Sequence, residues 1–167
     1  MSKFVIYINL PKYKAEWLTH CLGDPVVFPD SSPQNAIIRT YLQRLPKGYT
    51  PDCGGEGMTA IAIPASKAKP PEYYNYMGPC GKAAVAETID DLFRRSLWTA
   101  ITPLREQAVP CGLNKMIAAW CEANGIGIDR AEAVRQCYYR MRNDYAKRGI
   151  DLKKKSGHQQ KPVFSQR

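Results

Sequence analysis

Seven side chains with nucleic-acid chemistry fall between positions 135 and 147: Arg135, Gln136, Tyr139, Arg140, Arg142, Asn143 and Lys147. Guanidinium forks pair with phosphate oxygens or with the O6/N7 edge of guanine. Side-chain amides match adenine, and a long ammonium serves backbone charge. Gln136, Arg140 and Asn143 are the expected contacts to base edges, and Arg135, Arg142 and Lys147 the expected contacts to phosphate. The run Lys153, Lys154 and Lys155 follows, with Lys161 beyond it, as a basic arm able to add phosphate contacts or enter a groove.

The charge distribution points the same way. The formal net charge is +9. Residues 1–80 carry eight Lys/Arg against six Asp/Glu, and residues 81–128 carry five against five. The last 39 residues carry eleven against four, so most of the excess sits where a phosphate-binding footprint would be placed.

Catalytic groups are sparse by comparison. The chain has only two histidines, and His20 beside Cys21 puts base and nucleophile on diverging helix faces. Asp90 and Asp91 diverge likewise, and Asp90 with Arg94 reads as an i, i+4 ion pair. Six cysteines at 21, 53, 80, 111, 121 and 137 form no CxxC pair, which supports neither a zinc site nor a disulfide scaffold. CGGEG at 53–57 lacks the GK[ST] ending of a phosphate loop and reads as a turn. No enzyme activity, cofactor or metal is therefore expected; a nuclease or transposase fragment is the form that catalysis would take.

The elements that would position the basic residues are legible from periodicity. Taken at 100° per residue, Ala131, Val134, Tyr138, Met141 and Tyr145 fall within about 80° of arc, with Cys137 on the border. A helix over 129–148 thus separates a core stripe from the basic face. Asp129 and Glu132 are spaced as a capping-box variant at its start. Leu113, Met116, Ile117, Trp120 and Cys121 mark the preceding helix, which Gly125 would end. Ala86, Ile89, Phe93, Leu97 and Ala100 mark an earlier one, which Pro103 is expected to disrupt.

The N-terminal third reads differently. FVIYINL at 4–10 and MTAIAIP at 58–64 are expected strands, with Val26 to Phe28 a third. Tyr13, Trp17, Leu18 and Cys21 share a helical face. Ser32 and Pro33 start a helix presenting Ile37, Ile38, Tyr41, Leu42 and Leu45. The expected class is α+β: an α/β unit over 1–65, a connection at 66–82, a three-helix module at 83–150 and a basic flexible tail at 151–167. The apolar run near the N-terminus is too short to span a membrane and lacks a signal-like cleavage region, so the cytoplasm is the expected location, with no membrane partner.

The segment LNKMIAAWCEANGIGIDRAEAVRQCYYRMRNDY, residues 113–145, weakly resembles small basic helix-turn-helix DNA-binding proteins of phages and other bacterial mobile elements. The resemblance covers about two-fifths of the chain and rests on spacing and polarity. It implies duplex-DNA binding by the 129–148 helix, a regulatory or replication role, and by analogy a homodimer formed through the N-terminal unit. Two other readings stay open. A single-strand or RNA binder would use KAKPPEYYNYM at 67–77, stacking Tyr73, Tyr74 and Tyr76 on bases; a protein-interaction module would bind no nucleic acid.

Overall fold

The computed structural model describes residues 4–50, 53–107 and 110–149. The expected tail, with Lys153, Lys154 and Lys155, lies outside the described residues.

Strand β1 (Val5–Asn9) pairs antiparallel with β2 (Met58–Ala62), placing Ile6 opposite Ile61 and Ile8 opposite Thr59. Buried Ile6 and Ile8 alternate with the more accessible Val5, Tyr7 and Asn9, so one face of this small sheet meets the core. Val26 to Phe28 does not become a strand. Only Val26 bridges to β2: its N–H donates to the Ala60 carbonyl at 2.9 Å and its carbonyl accepts from Ala62 N–H at 2.9 Å. Pro25 and Pro29 flank the triplet and supply no donors to prolong the ladder.

Helix α1 (Lys12–Leu22) follows Pro11 and buries Trp17 and Leu18, while Cys21 stays exposed. Helix α2 (Pro33–Tyr41) begins as its residues dictate: the Ser32 hydroxyl accepts from Asn35 N–H at 3.2 Å, and Pro33 occupies the first turn. It ends four residues short of Leu45. The Lys69 ammonium donates to the carbonyls of Arg39, Thr40 and Leu42 at 2.7, 3.2 and 2.9 Å, closing the helix C-terminus with a cation. Gln43 then pairs with Tyr76 as an isolated bridge.

Helix α3 (Pro79–Glu106) buries Gly81, Val85, Ile89, Phe93, Leu97 and Ile101 along one stripe. It begins inside the expected connection and runs through Pro103 instead of breaking there. Pro103 lies within a turn of the helix end, so only a terminal backbone bond is forfeited, and its carbonyl still accepts from Gln107 N–H at 3.0 Å. Helix α4 (Leu113–Ala123) and helix α5 (Ala131–Lys147) complete the protein, joined through a 3-10 turn at Ile128–Arg130. The class is α+β.

A single hydrophobic cluster runs from Ile6, Ile8 and Ile61 through Trp17 and Phe93 to Ile117, Val134 and Tyr138. The N-terminal elements and the helical module therefore share a core. Phe93, fully buried, meets Tyr13, Trp17 and Trp120 edge-on at centroid distances of 5.4, 5.2 and 5.7 Å. At the surface of this junction, Asp90 holds both Lys14 of α1 and, at 2.8 Å, Arg94 of its own helix.

Burial also sorts the thiols. Desolvation pushes the Cys121 thiol up to about 11 and raises Cys137, whereas Cys53 and Cys80 are exposed. Treatment of the folded protein with a chromogenic disulfide reagent at mildly alkaline pH is expected to label Cys53 and Cys80 first. Cys121 and Cys137 should react only on unfolding; labelling of all at one rate would contradict this packing.

Candidate nucleic-acid interface

Helix α5 divides as its sequence periodicity requires. Val134, Cys137, Tyr138 and Met141 are buried, with Ala131 and Tyr145 half-buried at the edges of the stripe. Tyr138 stacks on Trp98 of α3 at 5.4 Å, and Tyr145 tilts against the same indole at 4.8 Å. These rings lock α5 against α3 and fix which residues face outward.

The seven candidate residues divide into engaged and free-standing groups. Arg135 pairs with Glu132 and is partly buried, and its Nε is buried without a hydrogen-bond partner. The Gln136 amide donates to the same carboxylate at 2.8 Å. Arg142 lies over the Tyr139 ring at 5.0 Å, a cation–π contact that holds the guanidinium near the surface. Arg140, Asn143 and Lys147 are exposed, and their side chains have no ion pair or hydrogen bond among the described residues. Lys153, Lys154 and Lys155 lie outside the described residues.

Glu132 is where the local reading of the helix start departs from the structure. It does not complete a capping box: the Asp129 carboxylate holds Arg130 at 2.8 Å, and Glu132 turns along the helix to Gln136 and Arg135. Hydrogen bonds from Gln136 and from Arg135 hold its carboxyl below the usual range, so it is anionic at neutral pH. It therefore places a negative charge within the basic face. Glu132→Gln is expected to strengthen binding of duplex DNA roughly threefold to tenfold at low salt, read by fluorescence anisotropy. Weaker binding would mean that Glu132 positions Arg135 and Gln136 productively.

Residues that sequence reasoning missed sit beside this face. A cleft of about 470 Å³ between α3 and α5 is lined by Asp91, Arg94, Arg95, Trp98, Asp144 and Arg148, among others. Arg94 and Arg95 of α3 thereby share one cleft with Asp144 of α5 and with Arg148 at its C-terminal end. The basic surface thus extends from α5 onto α3, interrupted by Asp90, Asp91 and Asp144. Only the tertiary packing joins these two helices; the residue numbers of α3 carry no such signal.

The turn before α5 is longer than the sequence spacing suggests. Residues 124–130 separate the two helices, and α1 ties the turn down. Glu16 accepts from Gly127 N–H at 3.1 Å and pairs with Arg130 at 3.2 Å. Gly125 has φ +70° and lies against His20, whose ring a Cβ would meet at 2.6 Å, so glycine is required on both counts. His20 thereby acts as packing for the turn.

The alternative segment is largely tied to the fold. Lys69 closes α2, Arg44 lies over Tyr74 at 5.3 Å, and Tyr76 meets Tyr49 at 5.1 Å, leaving Tyr73 exposed. Among the described residues no cluster of three or more His, Cys, Asp or Glu could hold a metal ion. No helix among them is long and apolar enough to cross a membrane. Comparison with protein-family models, with curated proteins and with solved structures gives no match.

Proposed function

We propose that this chain binds double-stranded DNA through the solvent face of α5, in a regulatory or mobile-element role within the cytoplasm. The observation that carries the reading is the division of one helix. Its apolar stripe is sealed into the core by Trp98, while Arg140, Asn143 and Lys147 stand exposed and unpaired on the other side. A guanidinium, an amide and an ammonium on one rigid face supply the donor and acceptor groups that a major groove and its phosphates require. Arg94, Arg95 and Arg148 line the adjoining cleft and add positive charge beside that face, offset in part by Asp91 and Asp144. Where a target holds two half-sites, a homodimer of the chain belongs to the same reading.

The test is a titration of isotopically labelled protein with a short duplex, followed by amide shifts. The expected perturbations concentrate at 135–148 and at Arg94 and Arg95. Perturbations confined to residues 69–77, or none at all, would oppose the assignment.

A further inference from the structure

A second cleft, of about 580 Å³, opens elsewhere in the molecule, lined by Phe4, Val5, Tyr7, Tyr49, Tyr76 and Lys82 among others. It lies between the free edge of β1 and the first turn of α3, which contributes Pro79 and Lys82. Among the described residues β1 pairs on one side only. The Phe4 carbonyl accepts from Ile63 N–H at 3.0 Å, continuing the register in which Ile6 faces Ile61. Backbone groups alternate along an antiparallel pair, so Phe4, Ile6 and Ile8 turn theirs toward β2. The N–H and C=O groups of Val5 and Tyr7 consequently point to the free edge, where no described residue bonds them. They are a row of unmet donors and acceptors at the wall of a cleft.

Aromatic rings provide the other walls. Tyr49 and Tyr76 meet edge-on, with ring centroids 5.1 Å apart and an interplanar angle of 68°. The Tyr7 ring is backed by Gly54, where a Cβ would come within 2.6 Å of it, so this glycine lets the loop close on the ring. Asn75, also at the wall, carries a side-chain carbonyl that is buried with no hydrogen-bond partner. The volume falls within the ordinary range for small-molecule sites.

We propose that this cleft binds an unpaired nucleotide, with the base among the tyrosines and its hydrogen-bonding edge against the backbone of Val5 and Tyr7. A base offers a flat ring for stacking and adjacent donors and acceptors for an N–H/C=O pair. Thr50 lines the same cleft and supplies a hydroxyl for the sugar. An extended peptide is the competing occupant of a strand edge. Only Val5 and Tyr7 offer outward backbone groups there, a ladder of about 7 Å, and three tyrosine rings favour a planar ligand over so short a strand. The proposal is independent of duplex binding by α5.

Calorimetric titration of the full chain with AMP, dTMP and an eight-nucleotide oligothymidylate tests it. Binding of the mononucleotides or of the oligonucleotide is expected, and the tighter of the two identifies a free nucleotide or an unpaired strand as the source. Tyr49→Ala removes a largely exposed ring, so the fold should survive, and it should weaken binding about tenfold or more. Arg140→Ala should leave mononucleotide binding unchanged. The proposal is overturned if no nucleotide binds at millimolar concentration or if Tyr49→Ala binds as the parent does.

Discussion

Phe93→Ala is expected to destabilise the protein by about 3–5 kcal/mol, the range for deleting a fully buried phenyl ring from a core that relaxes only in part. The ring is fully buried and is the contact point of Tyr13 and Trp17 from α1 with Trp120 from α4. Three edge-on aromatic contacts would be lost with the ring. Urea unfolding followed by both tryptophan fluorescence and circular dichroism reads the effect. Trp17 and Trp120 report from the two sides of the junction, so the two probes should shift together to lower denaturant. A loss below about 1 kcal/mol would contradict the placement of Phe93 at the centre of a shared core.

The second large effect concerns recognition. Arg140→Ala is expected to weaken duplex-DNA binding by about 1–3 kcal/mol and to relax sequence preference, as loss of a guanidinium at a base edge does. Lys147→Ala should instead weaken all sequences alike and lower the salt slope by about one. Both side chains are exposed and unpaired, so neither substitution should disturb the fold. Competition assays against a pool of related duplexes separate the two behaviours. Identical losses on every sequence for Arg140→Ala would reassign that residue to phosphate.

The difference between these residues and their neighbours explains how much of the site could be read from the chain. Helical periodicity was enough to separate Val134, Tyr138 and Met141 from Arg140, Asn143 and Lys147, because one face of α5 is buried and every residue's side follows from its number. The Ser32 and Pro33 start of α2 was legible for the same local reason. Long-range pairings were not. Lys69 ends α2 from 27 to 30 residues away, and nothing near Leu45 signals that the helix has already stopped. Val26 has the β-branched character of a strand residue, but the prolines beside it limit the ladder to one bridge. Pro103 marks an interruption only where a helix must continue for several turns, and α3 ends almost at once.

Glu132 illustrates a subtler limit. Its spacing from Asp129 matched a capping arrangement, yet two stronger donors, the Gln136 amide and the Arg135 guanidinium, lie within reach one turn ahead. A charge-assisted pair on the helix surface outcompeted the cap. Under the proposed DNA-binding reading, Arg135 and Gln136 would enter a complex already committed to a carboxylate. Arg94 and Arg95, by contrast, became neighbours of α5 only when Trp98 stacked on Tyr138.

Anisotropy titration of one labelled duplex, its single strand and the corresponding RNA, at two salt concentrations, tests the central claim most directly. A duplex reader should bind the double-stranded DNA most tightly and lose affinity steeply between the two salts, with Arg140→Ala reducing that binding. No binding to any of the three at physiological salt would contradict the account and leave α5 as a surface for protein contacts.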